Sequence, residues 1–409
     1  MADTTTSASD TGTRLRRRAR LALATIALST FLSMSVWFSA SFVIPQFQQL
    51  WALSGNESAL LTIAVQLGFV LGAVTLAGTG LADAVPGARL MSVGATGAAI
   101  ANLLLLWAPG YGIALGLRAL TGAFLAAVYP PALKLVSSWF RTGRGTALGV
   151  MIGALTLGSA APQLVKATGG LGWQSVIVAT SVLTAAGGLL ILLVRGSGPH
   201  PFPRSAFHLP SALRAVRSRP VLLANLGYVG HMWELYAMWA WVGTFLASLG
   251  PFAHRPDGPR EASLAAFCCI GVGAVGCLVG GLLSDRFGRA KAALLSLVMS
   301  GGAAVLLSAV RTLPLPVVLA VACFWGFWVI ADSAQFSALV TENADPRYVG
   351  SAVTLQLAVG YVTTAATIWL VPVLVDRASW SVALLVLAIG PVVGIAAMAG
   401  YLRGQRATA

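Results

Sequence analysis

A chain of 409 residues that is 57% hydrophobic and only 9% charged is not a soluble globule, because the charged fraction of such proteins is about 25%. Its net charge of +14 would suit a nucleic-acid binder, but the placement of the charges along the chain assigns them to membrane topology instead.

The first 13 residues, MADTTTSASDTGT, are polar, and 1–19 is expected to be a disordered tail without a signal peptide, since the first apolar run is full length and lacks a cleavage site. Runs of about 20 apolar residues, enough to cross a hydrocarbon core about 30 Å thick, follow in series. They lie at 20–44, 58–80, 90–108, 112–136, 146–166 and 174–194, then at 220–249, 263–284, 290–311, 316–340, 349–373 and 380–402. These runs are too long for barrel strands, so the backbone is expected to satisfy itself within helices. The fold class is an all-α membrane protein with twelve transmembrane helices in two pseudo-symmetric six-helix bundles, 20–194 and 220–402. The Pro- and Arg-rich stretch 195–219 is the linker, and 403–409 is a second tail.

With this threading 20 of the 26 Lys and Arg fall on one side, among them Arg14, Arg16, Arg17, Arg18 and Arg20, then Arg204, Arg214, Arg217 and Arg219. Lys166, Arg255, Arg260, Arg311 and Arg377 fall on the other, and Arg118 falls within a span. By the positive-inside rule both termini and the linker are cytoplasmic, in a plasma (inner) membrane. The partners expected are therefore the lipid bilayer and a small solute rather than nucleic acid. The linker segment Ser211–Arg219 is read as a short amphipathic helix at the headgroups. Cys268, Cys269, Cys277 and Cys323 lie inside spans without metal-ligand spacing and are read as packing residues.

Two internal echoes tie the halves together. GLADAVPGAR at 80–89 is a degraded copy of GLLSDRFGRAK at 281–291, and GTALGVMIGALTLG at 145–158 aligns with GSAVTLQLAVGYVT at 350–363. The second loop matches the pattern G-x-L-x-D-R-x-G-R-x-K at Gly281, Leu283, Asp285, Arg286, Gly288, Arg289 and Lys291. On these residues the chain resembles the major facilitator superfamily of secondary transporters. The first loop departs from the pattern, with Thr79 at the leading glycine and one extra residue between Asp83 and Arg89. The resemblance implies two parallel six-helix halves rocking about a central site, with spans 1, 4, 7 and 10 lining the cavity. It also implies a proton-coupling role for Arg118 in the pattern R-x-x-x-G, completed by Gly122. The segment 138–160 further resembles the nitrate/nitrite porter branch. That branch holds its anion with arginines in spans 2 and 8, and here both spans lack arginine, which argues against nitrate.

Ten of the twelve acidic residues sit in tails, loops or loop ends, and two sit inside spans, Glu234 and Asp332. An acid at mid-helix costs about 2.5–3.5 kcal/mol on insertion scales, so each is expected to be neutral, paired or facing water, as a proton carrier, a substrate counter-ion or one of a structural pair. Helical spacing places Gly227, His231, Glu234, Met238 and Trp241 on one face, Trp325, Trp328, Asp332 and Gln335 on another, and Arg118, Gly122, Leu125 and Tyr129 on a third, with Trp37 and Ser41 marking one in span 1. Asp83, Arg89, Asp285, Arg286, Arg289, Arg144 and Arg347 are read as a cytoplasmic gate or as a solvated rim. Gly149, Gly153 and Gly158 are read as a hinge between the halves or as ordinary small-residue packing.

The function expected is secondary active transport of a small organic or inorganic ion by alternating access, coupled to protons, by a monomer needing no cofactor or metal. A proton-driven multidrug efflux antiporter is the alternative, and a membrane sensor or a membrane-embedded enzyme using His231 and Glu234 stands further off. GxxxxGK[ST] and HExxH are absent, which argues against ATP-driven transport and metalloprotease chemistry.

Overall fold

The computed structural model describes residues 3–40, 43–168, 172–200, 216–345 and 348–408, and within them the chain is helix and turn without a strand. Twelve long helices pass back and forth. The first half contains α1 (Asp3–Met34), α2 (Gly55–Gly78), α3 (Gly87–Trp107), α4 (Tyr111–Trp139), α5 (Arg144–Ala167) and α6 (Trp173–Leu193). The second contains α7 (Arg219–Ala247), α8 (Gly258–Phe287), α9 (Arg289–Val310), α10 (Leu315–Asn343), α11 (Val349–Arg377) and α12 (Trp380–Arg406). Ten of these, all but α1 and α7, are long and apolar enough by composition to cross a membrane. The polar start of α1 and the His, Glu, Gly and Tyr content of α7 dilute their hydropathy without shortening them.

Local chemistry explains the helix ends. A capping box opens α2, where the Glu57 N–H donates to Ser54 Oγ at 3.3 Å and the Ser54 N–H donates to Glu57 Oε2 at 2.8 Å. Pro220, Pro259 and Pro316 stand in the first turns of α7, α8 and α10, where the missing N–H costs nothing. Helix α1 begins at Asp3, whereas a disordered tail over 1–19 is what the composition suggests; extending a helix the membrane segment has already nucleated fixes one residue per bond. Most of the linker and of Ser211–Arg219 lies outside the described residues.

The internal repeat is visible in backbone detail. Helix α4 breaks over 126–128, just before Pro130 and Pro131, and α10 breaks over 329–332, dividing into Leu315–Trp328 and Ser333–Asn343. In the first half a side chain at Gly72 would strike the Ala123 carbonyl, and in the second one at Gly276 would strike that of Phe327. Each pair is separated from its counterpart by the same 204 residues. Small residues let α2 lie against α4 and α8 against α10 at backbone distance, the usual solution where lipid offers no hydrophobic drive between helices. The halves meet along two seams, α5 against α8 and α2 against α11.

Candidate functional site

Between the halves, towards the face where α1 begins and α12 ends (the terminal face), lies a cavity of about 290 Å³. Its wall is drawn from both halves: Tyr129, Lys134 and Arg144 from the first, Ser333, Ser337 and Leu357 from the second. Arg289 and Glu342 stand on it as an ion pair whose carboxylate is half exposed, which puts solvent at that end.

A cluster of aromatic rings lies between this cavity and the opposite face. Phe69 sits about two turns beyond the wall residue Ala77 along α2, and Tyr361 about one turn beyond Leu357 along α11. Trp37 packs 5.3 Å from Phe69 within its own half and 5.8 and 5.6 Å from Tyr236 and Tyr361 across the gap. Phe69 and Tyr361 approach to 4.4 Å, and the Tyr236 and Tyr361 hydroxyls share a hydrogen bond of 3.0 Å. All four rings are buried.

Beside the cavity, inside the second half, are the two intramembrane acids. Asp332 ends the break in α10, immediately before the wall residue Ser333, and its Oδ1 lies 2.7 Å from His231 Nδ1, with both side chains 1–2% exposed. His231 Nε2 is buried without a hydrogen-bond partner. Glu234, one turn along α7, accepts from Trp325 Nε1 at 2.7 Å and from Ser300 Oγ at 2.9 Å, so neutral donors from α10 and α9 hold it. Gln335 is buried, its Nε2 only 3.5 Å from the Gly280 carbonyl and its Oε1 unpartnered.

Arg118 is fully buried in the first half and meets no carboxylate among the described residues. It donates to the Trp37 carbonyl at 2.6 Å, the Val36 carbonyl at 3.2 Å, Ser39 Oγ at 3.3 Å and Asn102 Oδ1 at 3.4 Å. These are mostly groups of the turn where α1 unwinds over 35–40, so the cation neutralises the negative end of a broken helix. Of the residues singled out by helical spacing, only Tyr129 lies on the cavity wall in this conformation. His231, Glu234, Met238, Asp332 and Gln335 turn into the second half, Trp241 donates to the Ile368 carbonyl of α11, and Trp328 packs against its neighbours Phe324 and Phe327. Ser41 lies outside the described residues. Tyr236, Tyr361, Phe69 and Ser300 escaped sequence reasoning; hydroxyl and aromatic groups occur throughout the spans and carry no charge to mark them.

The rim residues divide. Asp285 Oδ1 accepts from the Gly145 N–H at 3.1 Å, and its Oδ2 accepts from the Thr146 N–H at 3.0 Å and Thr146 Oγ1 at 2.8 Å, so it caps the N-terminus of α5 across the gap. At the opposite face Arg260 Nε donates to the Ala167 carbonyl at the C-terminus of α5, at 2.7 Å. Each charge sits at the wrong end of its own helix, α8, and at the right end of α5 for the helix dipole. Arg289 pairs with Glu342 within the second half, Arg89 and Arg286 are exposed, and the Asp83 side chain and Arg347 lie outside the described residues. Between the two clasps, a side chain at Gly149 or Gly153 would meet the carbonyl of Cys277 or Ala274 on α8, while Gly158 packs on Phe31 of α1 within its own half. The four cysteines are free, with Cys269 and Cys323 Sγ atoms 3.6 Å apart.

Two six-helix halves on one plan, joined along two seams around a shared cavity, are the architecture of a secondary transporter. The family model of the Major Facilitator Superfamily matches residues 26–257, more than half of the chain, and the protein belongs to that superfamily. It is a membrane transporter and not an enzyme. The chain is 30% identical over 195 residues to the multidrug efflux pump LfrA of Mycolicibacterium smegmatis (strain ATCC 700084 / mc(2)155), covering 47% of this chain and 37% of that protein. It is 36% identical over 133 residues to the puromycin resistance protein pur8 of Streptomyces alboniger, covering 32% of this chain and 25% of that protein. The match thus spans well under half the length of either relative. Neither is a nitrate/nitrite porter, and the likeness of 138–160 to that branch finds no support in them. The crystal structure of a bacterial homolog of the human lysosomal transporter Spinster, inward-facing and unoccupied, superposes with a TM-score of 0.66 at 15% identity over 95% of this chain and 97% of that one, a likeness of fold.

Proposed function

We propose that the protein is a proton-coupled secondary transporter of a small organic or inorganic ion, working by alternating access with its terminal face in the cytoplasm. The observation that carries the coupling is the pair of buried carboxylates beside the cavity, Asp332 at 2.7 Å from His231 and Glu234 held by Ser300 and Trp325. A proton gained or lost at either one changes the buried charge where such charge costs several kcal/mol, and so biases which packing of the second half is favoured. His231, with one ring nitrogen on Asp332 and the other unpartnered, is placed to pass that proton on.

The cycle breaks one clasp at a time. Opening the terminal face releases Asp285 from α5. Opening the opposite face releases Arg260 and parts Trp37 and Phe69 from Tyr236 and Tyr361. The test is proton movement in proteoliposomes loaded with a pH dye and challenged with small anions, neutral metabolites and lipophilic cations. Flux with one class, accompanied by a change in lumenal pH that Glu234→Gln and Asp332→Asn abolish without loss of folded protein, is expected. Wild-type coupling in both variants would sink the carrier assignment and leave a structural pair.

A proton-driven multidrug efflux antiporter is the second reading, favoured by the two relatives named for drug efflux and drug resistance. Proton-linked flux of lipophilic cations in the same panel would decide for it.

A further inference from the structure

We infer that Tyr129 and Ser333 form a central gate, a bonded pair on the axis that relates the two halves, which parts each time a solute passes between the cavity and the opposite face. The inference rests on the alternating access proposed above and is independent of proton coupling.

Position in the repeat carries the inference. The offset of 204 residues that takes Gly72 and Ala123 to Gly276 and Phe327 holds at a second pair of contacts: a side chain at Gly122 would strike the Val65 carbonyl, and one at Gly326 that of Cys269. By the same offset Tyr129 is the counterpart of Ser333. Each is the first residue after the break in its helix, opening the segments Tyr129–Trp139 and Ser333–Asn343. Counterparts related by a two-fold axis lie at equal distances on its two sides, so two that touch have the axis between them. Tyr129 and Ser333 do touch, since their side chains share a hydrogen bond from the first half to the second.

The pair also stands at the inner end of the cavity. Both residues line it, and on α4 and α10 they are its wall residues farthest from the terminal face, with Leu133 and Ser137, and Ser337 and Thr341, following towards that face. Two halves that rock about a central site pass their solute along the axis between them. A bond drawn across that axis at the inner end of the cavity closes the way to the opposite face. The repeat differs one residue earlier, where Val128 in the first half has Asp332 as its counterpart. The carboxylate beside His231 therefore adjoins the contact that has to part.

The experiment uses the full chain with Cys268, Cys269, Cys277 and Cys323 changed to alanine and folding checked by size exclusion. One reporter thiol is introduced at a time, Ser337→Cys on the cavity wall or Gln163→Cys, which lies across the gap from Gly243. The rates of labelling by a small neutral methanethiosulfonate in detergent then compare opening at the two faces. Tyr129→Phe and Ser333→Ala each delete the bond, and each should raise the ratio of Gln163 to Ser337 labelling by about two- to tenfold, the share of one hydrogen bond. The double variant should raise it no further than either single one, because both remove the same contact. Arg260→Ala, which frees the opposite face by a separate route, is the control. A ratio that rises with Arg260→Ala but not with each hydroxyl deletion overturns the gate alone, and so does a double variant whose effect is the sum of the two. A ratio that none of the variants moves overturns alternating access, and the gate with it.

Discussion

Arg118 shows how a single buried charge is accommodated with no carboxylate beside it among the described residues. Its guanidinium collects the carbonyls that α1 frees by unwinding at 35–40, together with Ser39 and Asn102. Removing it strands those acceptors in a dry bundle, at about 1–3 kcal/mol for an unsatisfied buried group. Arg118→Leu is therefore expected to lower thermal stability in detergent by several degrees, with Arg118→Lys intermediate because one ammonium cannot span four acceptors set around a planar fork. If the leucine variant melts like wild type, the unwound turn is held by something else. Glu234 and Asp332 are a contrasting case. Their surroundings differ, neutral donors for one and a histidine for the other, so under the proposed coupling the two substitutions test two different environments.

At the scale of elements, the pairing of α5 with α8 concentrates the mechanics. A charge at a helix terminus contributes about 0.3–1 kcal/mol, and about 2 kcal/mol in partly buried geometry, or up to roughly thirtyfold in the population of the state that keeps it. Asp285→Asn should favour opening at the terminal face and raise labelling of a thiol at Ser337. Arg260→Ala should favour opening at the other face and raise labelling of a thiol at Gln163, which lies across the gap from Gly243. Shifts in the same direction from both variants would contradict a clasp at each end. The glycines of α2 and α8 act within halves instead. Gly276→Val pushes a side chain into the Phe327 carbonyl, and Gly72→Val into that of Ala123. Each should cost about 1–3 kcal/mol, read as a lower melting temperature, and the repeat predicts similar losses for the two.

For the whole molecule, the arrangement is a cavity near one face, an aromatic cluster between it and the other, and a seam clasped at both ends. The rings that cross the gap, Trp37 and Phe69 facing Tyr236 and Tyr361, come from three helices and the turn after α1, and from both halves, so they can separate as the halves rotate without unfolding either bundle. The acids lie in the second half alone and the buried arginine in the first. Under the proposed coupling, protonation would act on the second half while the first keeps its charge balance.

Hydropathy and charge are properties of short stretches, so the membrane class, twelve spans, the division into halves and the loop at 281–291 could all be read directly along the chain. The intramembrane position of Glu234 and Asp332 was legible for the same reason, because a carboxylate stands out in any apolar run. Periodicity also placed His231 with Glu234 on one face of α7, and Asp332 with Trp325 on one face of α10. Which way those faces turn was decided only by tertiary packing. In lipid both the outside of a bundle and its interior are apolar, so hydropathy does not fix a helix's rotation about its own axis. That rotation points Glu234 and His231 into the second half instead of onto the cavity wall. It also brings Tyr236 and Tyr361 across from Trp37 and delivers Asp285 and Arg260 to the two ends of α5.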